Sequence, residues 1–303
     1  MKAIVCNNYG TPDVLELREV AKPIPKSNEI LIKVHATTVT AADIRVRSFR
    51  SPLLWWIPMR LVLGIRRPRK PILGVELAGE IEEVGSEVTR FRKGDRVFAM
   101  TGMRFGSYAE YAILPEKGVV APMPSNASYE EAAVLPFGGT TALHFLRKGN
   151  VRNGIQVLVY GASGAVGVAA VQLAKHFGAE VTGVCSGANA EFVQALGADR
   201  VIDYAKENFA KQGRRYDLIF DAVGKTSRSR CAEALTSSGK YVTVEGQGVA
   251  KERREDLELL AELFDGGKIR PVIDRRYQLE QVADAHRYVD TGRKKGNVVI
   301  AVR

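Results

Sequence analysis

Hydrophobic and polar positions alternate over short runs in the first third of the chain. The runs are Ile30–His35, Gly79–Val84, Asp95–Ala99 and Tyr108–Leu114, and turn residues such as Gly85 lie between them. Alternation with a period of two predicts half-buried strands. Many short strands separated by glycine and proline turns predict a compact domain that resembles a β-barrel.

From Gly154 onward, short apolar runs alternate with helical patterns. Strands are predicted at Gln156–Tyr160, Glu180–Cys185, Arg200–Asp203, Leu218–Ala222 and Lys240–Val244, and helices at Ala165–Phe177, Asn189–Leu196, Ser227–Leu235 and Lys251–Phe264. Strands that alternate with helices predict a parallel sheet with right-handed crossovers. The C-terminal segment returns to a strand, a helix and a strand at Pro271–Ile273, Leu279–Asp290 and Asn297–Val302.

The change between the two patterns falls near Ala121–Asn126, where two prolines lie in a short polar stretch. Such a stretch is typical of a domain boundary. Ser128 follows, with Glu131 three residues later, which is the spacing of a capping box and predicts a helix start. A length of 303 residues is sufficient for two domains of ordinary size.

The most informative motif runs from Val157 to Glu180, where an apolar strand leads into Gly161-Ala-Ser-Gly-Ala-Val-Gly167 and then a helix. Against the pattern G-x-G-x-x-G, the matching residues are Ala162, Gly164 and Gly167. Gly164 lets backbone approach a pyrophosphate, and Gly167 lets the helix pack closely on the strand. The start of the helix offers N–H groups to phosphates. In a strand–turn–helix context the motif predicts dinucleotide binding, although a merely tight turn is the alternative.

The residues after the next predicted strand, Glu180–Cys185, indicate which dinucleotide is bound. Sites for NAD usually have an acidic residue there for the ribose 2′-hydroxyl. This chain has Cys185-Ser186-Gly187-Ala188-Asn189, without an acid. The pattern favours NADP(H), with Ser186 near the 2′-phosphate, although Ser186 also suits a helix cap.

The net charge of +10 at pH 7 is compatible with nucleic acid, an anionic membrane or an anionic ligand. No nucleic-acid-binding motif accompanies it, so we interpret the charge as surface and attraction for a phosphate-bearing cofactor. The apolar run Leu53–Ile65 is interrupted by Pro58 and Arg60 and is too short to span a bilayer. It is interpreted as a buried loop or pocket wall, with an interfacial segment flanked by basic residues as the alternative.

The chain has three widely separated cysteines, Cys6, Cys185 and Cys231. Their number and spacing exclude a disulfide framework and a C-x-x-C zinc pair. The N-terminal sequence has no apolar core of a signal peptide. We therefore expect a cytoplasmic protein without a membrane span.

With these motifs in place, the chain resembles the medium-chain dehydrogenase/reductase superfamily, and within it the zinc-free quinone oxidoreductase branch, the zeta-crystallin-like reductases. The likeness covers the whole chain. It is carried by MKAIVCNNYG, ILIKVHATTVTAADIRVRS, GVELAGEIEEVG, KGDRVFAM, GSYAEY, EEAAVLPFGGTTAL, GASGAVG, LGADRVIDY and KKGNVVI. The resemblance implies a GroES-like catalytic domain, residues 1–124 and 268–303, and a Rossmann domain, residues 125–267.

The resemblance also implies a cofactor site. Thr141 is expected near the nicotinamide and Asn297 near the cofactor. Gly164, Ala165 and Val166 are expected at the pyrophosphate, and Ser186 and Tyr204 at the 2′-phosphate and adenosine end. Ser163, Gly167 and Asn189 complete the set of predicted cofactor residues.

Three departures from the family pattern change these expectations. Zinc-dependent relatives carry a cysteine near Thr40-Ala41 and a histidine where this chain has Val75, so zinc catalysis is not expected. Relatives often carry Lys or Arg at the position of Ala188, so Arg200 or Lys206 would have to supply that cation.

The third departure is the segment after Glu245, GQGVA, which is too short for the additional loop and sixth strand of relatives. The sequence therefore predicts a Rossmann sheet without its last edge strand. In the family that strand often pairs across a dimer, so a homodimer and tight cofactor binding are both less strongly expected.

The predicted activity is NADPH-dependent hydride transfer to a quinone or an α,β-unsaturated carbonyl, a small-molecule substrate, without a metal. The alternatives are a non-catalytic NADP(H)-binding protein and an alcohol or aldehyde dehydrogenase. Thr40, Asp43 and Arg45 are the predicted catalytic residues. The alternative for Thr40 is a strand-end hydroxyl that bonds to backbone, and the alternative for Asp43 and Arg45 is capping or surface pairing. Trp55 and Trp56 are candidates for a pocket wall or for loop packing. The four histidines have no ligand spacing and are interpreted as packing or surface residues.

Overall fold

The structure is a computed structural model that describes residues 1–49 and 56–303. The strands of the described chain are β1 (Lys2–Cys6), β2 (Leu15–Glu19), β3 (Glu29–Thr38), β4 (Glu76–Val84), β5 (Arg96–Met100), β6 (Tyr111–Pro115), β7 (Val119–Pro122), β8 (Gln156–Tyr160), β9 (Glu180–Cys185), β10 (Arg200–Asp203), β11 (Tyr216–Asp221), β12 (Leu235–Thr243), β13 (Ile273–Gln278) and β14 (Asn297–Ala301). The α-helices are α1 (Ala41–Ser48), α2 (Trp56–Leu63), α3 (Tyr129–Ala133), α4 (Pro136–Lys148), α5 (Ala165–His176), α6 (Ala190–Ala195), α7 (Arg228–Cys231), α8 (Arg254–Asp265) and α9 (Val282–Asp290).

The chain divides into two compact units, Met1–Pro136 with Ile273–Arg303, and Phe137–Val272. The expected boundaries were 124/125 and 267/268. The first lies later because α3 packs on the first unit, where the Tyr129 ring stacks on His35 at 4.0 Å. The second lies later because the Gln172 side chain bonds both the N–H and the carbonyl of Arg270, which holds Arg270 in the second unit.

The first unit is built on a sheet with the strand order β13-β14-β3-β4-β5-β7, in which β6 also pairs with β3. All of these pairs are antiparallel except β13 with β14. The predicted apolar face of β3 is confirmed, because Ile30, Ile32 and Val34 are fully buried against Leu77 and Val97, but the strand is more than half-buried, since Leu31 on its other face is buried as well. The face with Ile30 forms the core of the first unit.

The second unit is a parallel sheet with the order β10-β9-β8-β11-β12. The chain enters at the centre with β8, passes to one edge and then crosses to β11, which is the doubly wound arrangement. Between β12 and α8, residues 244–253 contain no strand, so the sheet of the described chain has five strands. The predicted absence of the sixth strand therefore agrees with the structure.

Most predicted elements lie within a few residues of the observed ones. Two strands differ more. Strand β12 begins at Leu235 rather than at Lys240, and its pairing with β11 has a register shift between Tyr216 and Leu218. Strand β13 covers Ile273–Gln278, beginning where the predicted strand ended. No helix within residues 1–49 and 56–303 has the length and apolar character needed to cross a bilayer.

Candidate cofactor and active site

The glycine-rich turn connects the central strand β8 to helix α5. Gly161 adopts φ of +80°, a conformation that favours glycine, and its N–H donates to the Val184 carbonyl at 2.9 Å. A Cβ on Gly167 would overlap the Gly161 carbonyl and lie 2.8 Å from the Ala162 Cα. Gly167 is therefore required by the close packing of the helix on the turn, as the sequence predicted.

Gly164 has a different environment. It is the N-cap of α5, with φ of −82° and ψ of 172°, and a Cβ there would contact only the Gly161 carbonyl, at 3.6 Å. The following amides, Ala165, Val166 and Gly167, have no hydrogen-bond acceptor among the described residues. The first turn of α5 thus presents three N–H groups without acceptors and the positive end of the helix dipole. Gly164, which precedes them, has no side chain that would block access. An anionic group fits this geometry.

Ser163 and Asn189 are brought together beside this turn. The Asn189 Nδ2 donates to the Ser163 Oγ at 3.1 Å, which connects the turn to the segment that follows β9. Asn189 is buried, and its Oδ1 has no hydrogen-bond partner in the described part of the chain. A buried acceptor without a partner is costly, so Oδ1 is suited to receive a donor from a bound molecule.

The end of β9 has an acidic neighbour that local sequence did not indicate. Asp203 ends β10 opposite Cys185, and its Oδ2 lies 2.5 Å from where a Gly187 Cβ would be. The Tyr204 N–H donates to the Cys185 carbonyl at 3.1 Å, and its side chain is 57% exposed. Thus a carboxylate from the neighbouring strand lies beside Gly187, the residue that follows Ser186.

The two cations considered for the position of Ala188 are not equivalent. Arg200 begins β10 and pairs with Thr182, so it lies at the opposite end of the strand from Asp203. Lys206 follows the carboxyl end of β10, and its N–H donates to the Asp203 carbonyl at 3.0 Å. Of the two, Lys206 is at the edge where the predicted adenosine residues lie.

Thr141 lies on α4, which approaches the same turn. A Cβ on Gly138, one helical turn before Thr141, would be 2.8 Å from the Ala165 carbonyl. Thr141 is half-buried. Helix α4 thus passes beside the start of α5 at Gly138, and Ser163, Ser186, Asn189 and Tyr204 follow the carboxyl ends of β8, β9 and β10, the usual ligand position in this fold.

Sequence reasoning missed Asp221 and Val223, which also lie at this edge. Asp221 is buried at the end of β11 and accepts from the N–H groups of Val223, Gly224 and Thr226 at 2.8–3.1 Å. It thereby orders the loop that places Val223 against Gly161. An acid at the end of an apolar strand, followed by Gly and Thr, was the available signal in LIFDAVGKT.

In the first unit, Thr40 and Asp43 form a capping box at the start of α1. The Thr40 hydroxyl donates to Asp43 Oδ2 at 2.6 Å and accepts from the Asp43 N–H. Asp43 Oδ1 accepts from the Gly74 N–H at 3.0 Å. Burial raises the pKa of Asp43 to about 6, although its bonds to Thr40 and Gly74 oppose that shift. These contacts support a structural role for both residues, because the hydroxyl proton of Thr40 is already donated.

Arg45 and Arg47 lie on the same helix in different environments. Arg45 is exposed, whereas Arg47 is 1% exposed and pairs with Asp290 at 2.7 Å. Close to Arg47, the Tyr108 hydroxyl and His286 Nε2 are 3.1 Å apart. Burial lowers the pKa of His286 to about 3. This buried polar group was not predicted, because its members come from three distant parts of the chain.

Of the remaining predicted residues, Asn297 is buried at the start of β14 in the first unit, and Trp56 is 45% exposed on α2. Trp55 lies outside the described residues. Val75 is buried at the position where zinc-dependent relatives carry histidine. Among the described residues, no group of three His, Cys, Asp or Glu side chains is arranged to hold a metal ion.

Comparison with known proteins agrees with this architecture. Residues 26–125 match the alcohol dehydrogenase GroES-like domain, and residues 165–286 match the zinc-binding dehydrogenase family, whose description refers to zinc. The chain belongs to the medium-chain dehydrogenase/reductase superfamily and is an oxidoreductase of that class. Within the superfamily it belongs to the quinone oxidoreductase branch, so the resemblance noted from the sequence is confirmed.

Three relatives support this placement. A 2-methylene-furan-3-one reductase from Solanum lycopersicum is 35% identical over 99% of this chain and 79% of its own length. An NADPH-dependent alkenal/one oxidoreductase from Arabidopsis thaliana is 32% identical over the same shares. The solved quinone oxidoreductase from Coxiella burnetii has a TM-score of 0.91 and 30% identity, covering 100% of this chain and 99% of that one.

Proposed function

We propose that the protein transfers hydride from NADPH to the conjugated system of a quinone or an α,β-unsaturated carbonyl. The proposal rests on the start of α5. Three backbone amides there have no acceptor, and the N-cap residue Gly164 has no side chain that would block an anion from reaching them. Relatives named as reductases of furanones, alkenals and quinones support the substrate class.

The residues present fit a dinucleotide. The amides of Ala165, Val166 and Gly167 would hold the pyrophosphate, with the Ser163–Asn189 pair beside it. Ser186 and Tyr204 would hold the adenosine end, and Lys206 would supply the cation for a 2′-phosphate. Asp203 opposes a 2′-phosphate at this edge, so the preference for NADPH depends on Lys206 outweighing it.

When bound, the nicotinamide supplies the hydride, and the protein supplies position and electrostatics. We assign Thr141 to the nicotinamide end; this is supported by α4, which carries Thr141 and lies close to Ala165 at Gly138, one helical turn earlier. Asn297 is assigned to the cofactor by family resemblance. Thr40 and Asp43 are assigned to positioning α1 and the Gly74 backbone, so the product oxyanion takes its proton from water rather than from Thr40.

No zinc is included in this proposal, since Thr40-Ala41 and Val75 occupy the positions of zinc ligands in metal-dependent relatives. The cysteines are free and buried, which supports a reducing compartment such as the cytoplasm. These two assignments lead directly to a chelator control and to assays under reducing conditions.

The test is NADPH oxidation, followed by absorbance, against a panel of quinones, enones, saturated aldehydes and alcohols. We expect turnover with quinones or enones, unchanged after incubation with a strong chelator, and slower turnover with NADH. Turnover confined to saturated aldehydes or alcohols, or abolished by the chelator, would contradict the proposal.

A second candidate, a non-catalytic NADP(H)-binding protein, is favoured by the short segment 244–253 and its five-stranded sheet. Fluorescence titration with NADPH separates the two candidates. Binding without turnover on any acceptor would favour the second, and absence of binding would refute both.

A further inference from the structure

The solvent-facing side of helix α2 is apolar. Pro58, Leu61 and Val62 follow the spacing of one helical face and are all exposed, Leu61 and Val62 each at 57%. Ile65, just after the helix, is 65% exposed. A surface helix normally directs charged or polar side chains to water. Here the outward face is instead the apolar one.

The orientation of this helix is set by contacts on its other side. Leu63 is buried, and the Tyr9 hydroxyl donates to the Gly64 carbonyl at 2.9 Å. The Arg60 guanidinium lies 3.8 Å from the centre of the Phe49 ring and 4.7 Å from that of Tyr9. These anchors hold the inner side of α2 against the GroES-like unit, so its apolar outer face remains exposed.

Positive charge continues directly from this face. Arg66, Arg67, Arg69 and Lys70 follow Ile65 and are exposed. Within the described ranges none of the four forms an ion pair with a carboxylate, and the three arginines line an open cavity of about 890 Å³.

The surrounding sequence is also strongly basic. Between Asp43 and Glu76 the chain carries eight Lys and Arg residues and no acid, whereas the net charge of the entire chain is only +10. Most of the excess positive charge is therefore concentrated in this one stretch.

We propose that this patch, formed by Trp56, Leu61, Val62, Ile65, Arg66, Arg67, Arg69 and Lys70, binds the anionic surface of a lipid bilayer. The apolar side chains enter the headgroup region, and the cations contact lipid phosphates. Exposed apolar residues beside a basic cluster are the combination that attaches proteins to such surfaces. Binding of this kind is peripheral and does not depend on the proposed enzymatic function.

A second copy of this chain is a less suitable occupant. Two-fold pairing places the same patch on both partners, so four cations would face four cations. An acidic lipid surface instead neutralises them, and its acyl region accepts the apolar face. Charge complementarity therefore favours the bilayer over self-association.

The chain offers an internal probe, because its two tryptophans are consecutive in sequence, Trp55 and Trp56, and Trp56 belongs to the patch. The full-length protein would be mixed with vesicles of phosphatidylcholine alone or with phosphatidylglycerol added. We expect co-sedimentation with the anionic vesicles, weakened by salt, with tryptophan emission shifted to the blue and quenched by brominated lipids. Neutral vesicles should bind weakly.

Charge is tested by replacing Arg66, Arg67 and Arg69 with glutamine. Each cation near an anionic surface strengthens binding several-fold, so the triple variant should lose roughly 100-fold in vesicle affinity. The matched control replaces three exposed lysines outside the patch, Lys93→Gln, Lys117→Gln and Lys268→Gln. The control changes net charge equally and should bind nearly as well as the wild type.

The apolar face is tested with Leu61→Ser and Ile65→Ser, against the control pair Leu17→Ser and Ile24→Ser, which are exposed elsewhere in the same unit. Only the first pair should lose the spectral shift and the quenching. Circular dichroism and thermal melting of all variants confirm that they are folded.

Several results would overturn the proposal. These are failure to bind anionic vesicles at low salt, equal loss in the control variants, or sedimentation without any change in tryptophan emission. If inorganic phosphate alone reproduces the emission change, the site is one for a small anion. If sedimentation velocity shows a dimer that Leu61→Ser and Ile65→Ser dissociate, the patch is a subunit interface.

Discussion

The two glycines at the start of α5 make opposite demands, and a pair of alanine substitutions separates them. At Gly164 the backbone is in a region open to any residue, and an added Cβ has only the Gly161 carbonyl nearby, at 3.6 Å. At Gly167 an added Cβ would overlap that same carbonyl and lie 2.8 Å from Ala162, whereas ordinary contact begins at 3.4 Å.

The magnitudes follow from these distances. Gly164→Ala loses about 1 kcal/mol as an N-cap but gains about 0.4–1 kcal/mol through the unfolded state, so stability should change by less than about 1 kcal/mol. Gly167→Ala requires the helix to move away from Ala162 by at least about 0.6 Å, and further to clear the Gly161 carbonyl. Overpacking of this kind costs about 1–3 kcal/mol, which corresponds to a fall in melting temperature of roughly 2–12 °C.

Cofactor binding, unlike stability, should be weakened by Gly164→Ala. The Gly164→Ala methyl occupies the space beside the three free amides and hinders hydrogen bonds to the pyrophosphate. We expect a Kd for NADPH at least about 10-fold higher, equivalent to about 1.4 kcal/mol. Isothermal titration calorimetry and differential scanning calorimetry on the two variants and the wild type give both quantities.

The reasoning is refuted if Gly164→Ala binds NADPH as the wild type does while remaining folded. It is also refuted if Gly167→Ala melts at the wild-type temperature, because the helix would then not be in close contact with the turn.

Three further predictions concern the other residues of the site. Asp203→Asn should lower the KM for NADPH relative to that for NADH, and Lys206→Gln should raise it, as measured from initial rates with both cofactors; equal effects on the two KM values would contradict the assigned 2′-phosphate edge. Thr40→Val removes a cap and should lower stability by about 1 kcal/mol with kcat changed less than about 3-fold, whereas an unchanged melting curve with a collapsed kcat would restore Thr40 as a catalytic residue. Burial lowers the pKa of His286 from 6.5 to about 3, so the folded state loses stability as pH falls through that range, on the order of a few kcal/mol at most. In urea titrations at several pH values, His286→Gln should lose less stability at acid pH than the wild type. Asp43, whose pKa is raised to about 6, contributes in the opposite direction but equally in the variant and the wild type. Identical pH profiles of the two proteins would show that His286 does not titrate as inferred.

Local sequence was sufficient for the elements and for part of the site. The capping box of Ser128 with Glu131 involves residues three positions apart, so spacing alone reveals it. Thr40 and Asp43 have the same spacing and form the same motif. The β8–turn–α5 motif is likewise contained in one short stretch, and the two roles of Gly164 and Gly167 follow from their positions in it. The short stretch after Glu245 is enough to exclude a sixth strand, because a crossover needs more residues than it has.

Other features depend on contacts between segments that are distant in sequence. The acid beside Ser186 is on the neighbouring strand rather than at the end of β9, since parallel pairing aligns Asp203 with Cys185. Tyr108 and His286 meet across 178 residues. Whether the apolar residues of α2 face the core or water was also open, because a helical stripe identifies a face without indicating which side packs against the rest of the protein. The sequence by itself therefore determined the two-domain fold, the glycine turn and the missing strand, because all three depend on local spacing. The tertiary structure decided the position of the Asp203 carboxylate and the outward direction of the apolar face of α2, because both depend on packing between distant segments.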